Sequence, residues 1–306
     1  MSERAYKSAA ALEMAVKSAA RKSGQDVGKA IEAYYPGRLL ERVFSEESPS
    51  FVLKGGRGML ARTVDARYTR DTDFLYRGAD LDEALKELKR LAAKDLGDFI
   101  DFRFVSASPI AEGQEYREGM RVVFVPVLGG TKVMTELSID LVVDQVSTGV
   151  ADVIAPANRL DVAGLPVFDY HVYPAAHAIA DKVCATLQGY PGGRCSSRVR
   201  DLVDICVYAV TEPVDGFALS TQLALEARLR GLGDLDAFYV PDSWRTTLSA
   251  SYAKSAKEAK LPDRLRNVDE AVRLAKDLVD PAIAQKVDSL AWDHEALSWV
   301  ERAESV

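Results

Sequence analysis

From Glu136 to Asp144 the residues alternate, Val142 excepted, with Leu137, Ile139, Leu141 and Val143 on one side and Glu136, Ser138, Asp140 and Asp144 on the other. Side chains of a strand point to its two faces in turn, so this run predicts a half-buried strand with one covered and one wet face, and it puts Asp140 on the wet one. Further apolar runs bounded by turn residues predict strands at "SFVLKGG", "TDFLYR", "DFIDFRFVSASPI" and "RVVFVPVLGG". Helical spacing covers residues 5 to 21 and 26 to 45, "RGMLARTV", and "LDEALKELKRLAAKDLG" up to Gly97. From about residue 170 the pattern is helical, in "AAHAIADKVCATLQ", "SRVRDLVDICVYAV", "STQLALEARLRGL", "SWRTTLSASYAKSAKEAK" and "NVDEAVRLAKDLVD". The expected class is α+β: a mixed sheet with flanking helices over residues 1–165, then a mostly helical domain over 166–306, divided at the breaks in "VAGLPVFDYHVYP".

With 306 residues, 48% of them hydrophobic, a sizeable core is within reach. The net charge of −7 gives no general attraction for nucleic acid, so contact with a polyanion has to come from a local patch. Lys54, Arg57, Arg62, Arg67 and Arg70, interrupted only by Asp65, are the best such patch. No apolar run reaches transmembrane length and the first residues are too charged for a leader, so no membrane is expected and the cytoplasm is the expected compartment. Cys184, Cys195 and Cys206 have no metal-binding spacing and read as small apolar residues in a reducing compartment.

Asp71 and Asp73 stand at i and i+2 where a strand begins. Two carboxylates one pleat apart repel unless a cation lies between them, and Mg²⁺ takes one or two carboxylates plus substrate phosphates. Asp140 from a neighbouring strand would complete such a set. Read as plain structure, the pair is two exposed turn acids. Gly55 and Gly56 follow Lys54 at a strand-to-helix turn, where glycine lets backbone approach a ligand and helix N–H groups bind phosphate; alternatively they simply end the strand. Lys182 falls off the apolar face of its predicted helix, near His177 and Asp181, as a point charge for a triphosphate or as a surface lysine. Asp201 and Asp204 share a helix face, where an Arg200–Asp204 ion pair is the plain alternative. His171, His177 and His294 make no metal spacing, and there is no serine-hydrolase elbow.

The order K-G-G, T-x-D-x-D, a strand acid, a helical D-K-x-x-A and R-D-x-x-D resembles the AbiEii and MenT family of toxin nucleotidyltransferases, within the DNA polymerase β-like superfamily, from about residue 40 to 210. The resemblance implies a bilobed molecule. It makes Gly55 and Gly56 the phosphate-cradling turn, with Lys54, Arg57 and Thr69 beside the nucleotide. Asp71 and Asp73 become the metal pair, and Lys182 the lysine on the triphosphate. The late catalytic aspartate falls on Asp201 or Asp204, which the spacing does not separate. Two departures stand out: Arg57 occupies a position that is Thr or Ser in many relatives, and Thr69 matches a hydroxyl that cognate antitoxins modify in some.

The expected activity is Mg²⁺-dependent transfer of a nucleoside monophosphate, pyrimidine by resemblance, from an NTP to the 3′ end of tRNA, which would block translation. Asp71, Asp73 and Asp140 would hold the metals, with Asp140 also placed to orient the attacking hydroxyl. Lys182 would neutralise the leaving phosphates, Arg62, Arg67 and Arg70 would guide the RNA, and a cognate antitoxin is the expected partner. The alternatives are transfer to a protein or small-molecule hydroxyl, and a non-catalytic nucleotide- or antitoxin-binding module.

Overall fold

The computed structural model describes residues 4–64, 66–110, 119–134, 136–143, 150–189 and 195–302; Asp65 and Asp144 lie outside them. The chain divides into two compact units, Met1–Val64 with Thr69–Val172, and Asp65–Tyr68 with Tyr173–Val306. The fold is α+β.

The first unit contains α1 (Ala9–Lys22), α2 (Val27–Val43), α3 (Gly55–Arg62) and α4 (Leu81–Ala92). Its strands are β1 (Phe51–Lys54), β2 (Thr72–Tyr76), β3 (Ile100–Pro109), β4 (Gly119–Leu128), β5 (Thr131–Lys132), β6 (Leu137–Val143), β7 (Asp152–Ile154) and β8 (Tyr170–Val172). They form one mixed sheet in the order β3-β4-β6-β2-β1-β8-β7, with β5 paired to β4. The pairs β2/β6 and β1/β8 are parallel and the others antiparallel.

The period-two pattern decides which face is covered. Phe51, Leu53, Phe74, Val122, Phe124, Ile139, Leu141 and Val143 form one core with Leu12 and Val16 of α1, Leu39 and Val43 of α2, and Leu88 and Leu91 of α4. Each such side chain contributes roughly 1.5–3 kcal/mol on burial. Asp80 caps α4 by accepting from the Glu83 N–H at 2.8 Å, and the helix ends at Ala92 rather than at Gly97. A buried ionic cluster ties α2 to the start of β3: the Asp98 carboxylate accepts from Arg42 Nη2 at 2.7 Å and from Arg38 Nε at 2.8 Å.

The second unit packs α5 (Ala175–Leu187), α6 (Val199–Thr211), α7 (Gly216–Leu229), α8 (Ser249–Glu258) and α9 (Val268–Ile283) with β9 (Val214–Asp215), β10 (Leu290–Asp293) and β11 (Ser298–Glu301). The small antiparallel sheet β11-β10-β9 is absent from the sequence reading, because strands of two to four residues are too short to show a period. Its anchor is Trp292, which is buried and donates Nε1–H to the Ala209 carbonyl at 2.8 Å. Cys184 and Cys206 are buried as expected for small apolar residues, whereas Cys195 lies in a non-helical segment and is exposed.

Candidate active site

The wet face of the first unit's sheet carries a row of charge. Lys54 lies opposite Asp73 across β1 and β2, Asp73 opposite Asp140 across β2 and β6, and Asp140 opposite Arg121 across β6 and β4. Residues opposite each other in paired strands point to the same side, so the cation–acid–acid–cation row follows from register. Asp140 is half-buried between the buried Ile139 and Leu141, as the alternation predicts. Asp71, just ahead of β2, is exposed, and Asp73 is half-buried.

The two sequence motifs interlock. Gly55 opens α3 with φ +62°, and a Cβ built on it would lie 1.9 Å from Asp73 Oδ2. A Cβ on Gly56 would lie 2.9 Å from Thr69 Cγ2. The double glycine therefore lets the acid strand and the Thr69 side chain close against the helix start, and Thr69 is itself buried. No side chain caps α3 at Lys54.

Arg121 clamps the third acid. Its Nε and Nη2 donate to the two Asp140 carboxylate oxygens at 2.7 and 2.8 Å. The hydrogen bonds it donates to Asp140 hold this guanidinium charged, and Asp71 and Asp73 add to the effect. Sequence reasoning missed Arg121; the signal was a single cation inside the apolar run of β4. Among the described residues no three His, Cys, Asp or Glu side chains group as a metal site. Asp71 and Asp73 still suit a hard divalent ion, being carboxylates two residues apart at the start of β2, beside a helix start that no side chain caps. Asp140 is engaged by Arg121.

The basic run is not an exposed patch, contrary to the sequence expectation. Arg57 is buried and its Nη2 donates to the Arg70 carbonyl at 3.1 Å. Arg62 pairs with Asp152, its own side chain almost covered. Arg67 belongs with the second unit, where its Nε and Nη2 each donate to Asp204 at 2.9 Å. Arg70 is exposed and pairs with Glu32 at 3.0 Å. A cation in a folded chain is drawn to the nearest acid, and spacing alone does not reveal which acid that is.

In the second unit the Lys182 ammonium is buried and lies 2.7 Å from Asp204 Oδ2 and 3.6 Å from Asp201 Oδ1. It is not the surface lysine of the plain reading. Burial disfavours its charge, but Asp204 and then Asp201 outweigh that and raise its pKa. Asp204 is fully buried; Lys182 and then Arg67 overcome the cost of that burial and hold its carboxyl below the usual range. Asp201 instead takes Arg198 Nε at 2.5 Å, at the edge of the network. The Arg200–Asp204 pair is not formed: Asp204 is held by Arg67 and Lys182, while Arg200 is exposed. His177 packs edge-on against Tyr173.

A family model described as "Nucleotidyl transferase AbiEii toxin, Type IV TA system" matches residues 38–295, a span that takes in the Gly55–Gly56 turn, the charge row and the Lys182–Asp204 pair. The chain belongs to the AbiEii nucleotidyltransferase toxin family. Two solved structures are similar at low identity. One is the crystal structure of JHP933 from Helicobacter pylori, at 12% identity and TM-score 0.46, covering 86% of this chain and 95% of that one. The other, also from H. pylori, is put forward as a nucleotidyltransferase, at 13% identity and TM-score 0.43, covering 86% of this chain and 97% of that one. No curated protein matches. As an AbiEii-family toxin the chain is a nucleotidyltransferase, with an NTP as substrate and an antitoxin as counterpart. Among the described residues no helix is long and apolar enough to cross a membrane.

Proposed function

We propose that this AbiEii-family toxin transfers a nucleoside monophosphate from an NTP, a pyrimidine nucleotide by resemblance, to the 3′ end of tRNA and so stops translation. The observation that carries the reading is the Gly55–Asp73 contact at the head of the charge row, which joins a helix start suited to phosphate with a carboxylate pair suited to a cation. Asp71 and Asp73 would hold Mg²⁺, which when bound neutralises phosphate charge and orients the reacting oxygens.

The chain's own residues then have separate tasks. The first turn of α3 receives phosphate oxygens, and Lys54 lies beside Asp73 as a further cation. Asp140, once released by Arg121, accepts the proton of the attacking hydroxyl or orients it. Lys182, kept charged by Asp204 and Asp201, is the lysine that the resemblance assigns to the leaving phosphates. No covalent intermediate on a side chain is needed, because phosphoryl transfer depends mainly on positioning and charge neutralisation. Of the RNA-guiding arginines Arg70, which pairs with Glu32 but is exposed, fits that role best, since Arg62 and Arg67 are mostly covered against Asp152 and Asp204.

Incubation with each labelled NTP, together with total RNA or total protein, tests the reading. Label in tRNA from CTP or UTP supports it; label confined to protein, or none in either fraction, overturns it.

A further inference from the structure

The helix-covered side of the first unit holds a pocket of about 50 Å³ between α2 and the segment 158–170. Tyr34 and Arg38, one turn apart on α2, line it, and both are more than nine-tenths buried. Among the described residues neither the Tyr34 hydroxyl nor Arg38 Nη2 has a hydrogen-bond partner. Leaving two such donors dry is costly, which makes the pair an open demand for an acceptor.

The charge count around the pocket points the same way. Arg38 and Arg42 share the Asp98 carboxylate, Arg159 takes Glu41, and Arg57 also lines the pocket, so guanidiniums outnumber carboxylates around it. Glu41 is already saturated by Arg159 Nε, Phe168 N–H and the Tyr170 hydroxyl. Arg38 Nη2 is therefore a donor that neither carboxylate of the cluster satisfies. Burial pushes the Tyr34 phenol up, with Arg38 opposing it, so the hydroxyl remains a donor.

Gly37 lines the same pocket in the middle of α2, and a Cβ built on it would meet nothing within 4 Å. Glycine is the poorest helix former after proline, so a position with room for any side chain gains nothing in stability from it. What glycine does here is leave space. The remaining wall includes Ala33, Leu160, Val162 and Leu165, which are apolar.

We propose that this pocket binds a small organic carboxylate, whose oxygens accept from the Tyr34 hydroxyl and Arg38 Nη2 while a short aliphatic body lies against Ala33, Leu160, Val162 and Leu165. An anion with an apolar body matches both the excess of guanidiniums and the apolar wall. Inorganic phosphate has no apolar body, and water alone leaves the charge unbalanced. Arg57 of α3 is part of its wall, but the existence of the site does not depend on nucleotidyl transfer.

The probe is isobutyrate, followed by thermal shift and saturation-transfer NMR on the full chain, with inorganic phosphate as control. Isobutyrate is expected to raise Tm saturably, and phosphate not to. Tyr34→Phe, which drops an unpartnered hydroxyl, should be at least as stable without ligand and bind isobutyrate roughly tenfold more weakly. Gly37→Leu, which fills the space, should fold and not bind. No saturable binding by the native chain, equal affinity in Tyr34→Phe, or an equal response to phosphate overturns the proposal, the pocket then holding water only.

Discussion

An Asp73 carboxylate oxygen lies where a side chain on Gly55 would begin, 1.9 Å from the built Cβ position, with Gly55 itself at φ +62°. Gly55→Ala must therefore displace the acid and also take a left-handed conformation that costs about 1–2 kcal/mol. The variant should stay folded by circular dichroism and lose roughly 100-fold or more in NMP transfer, since a displacement of about 1 Å at reacting groups costs that much. Native-level transfer by Gly55→Ala would show that the contact has no part in the site.

Arg121 and Asp140 make a pair whose arginine is 49% exposed, so its worth to stability is small, about 0–1 kcal/mol. Its consequence is electrostatic: the guanidinium fills the place of a cation beside three acids. Arg121→Ala should leave the urea midpoint nearly unchanged and raise affinity for Mn²⁺, followed by its electron paramagnetic resonance, several-fold. Weaker Mn²⁺ binding in the variant would mean that Arg121 supports the ion rather than competing with it.

Asp204 is held at its two oxygens by Arg67 and Lys182 in a place with no access to water. Removing it strands two cations, and Asp204→Ala is expected to lose roughly 3–5 kcal/mol in urea unfolding. Asp201→Ala, whose Arg198 partner is 46% exposed, should lose clearly less. The reverse order would contradict the assignment of Asp204 as the centre of the network.

The same network sets a pH window. The folded-state pKa of Asp204 is depressed, so its contribution is complete above the ordinary aspartate value of about 3.9 and fades as pH falls through the folded value. Lys182 is raised, so its contribution is complete below about 10.4 and fades as pH rises through the folded value. All three tryptophans, Trp244, Trp292 and Trp299, lie in the second unit, so their fluorescence reports it alone. Urea midpoints read this way should be flat from about pH 5 to 9 and fall by pH 3. An unchanged midpoint at pH 3 would count against the ion pairs.

Period and spacing made the first unit legible. The alternation around Asp140 fixed both the strand and the side on which its acid lies, and the Gly55–Gly56 break marked the turn from β1 to α3. What spacing does not carry is partner choice across the chain. Arg67 and Asp204 are 137 residues apart, and nothing local distinguishes Arg67 from an exposed cation. Arg121 was hidden for the same reason, since its meaning comes from register with a strand that follows it. The sheet of β9, β10 and β11 escaped because its strands are shorter than the shortest pattern that can be recognised.

The central claim is that Asp71 and Asp73 serve nucleotidyl transfer. Purified chain, [α-³²P]CTP, Mg²⁺ and deacylated tRNA should give labelled tRNA, and Asp71→Ala and Asp73→Ala, each folded by circular dichroism, should give none above background. Undiminished labelling by either variant would contradict the account.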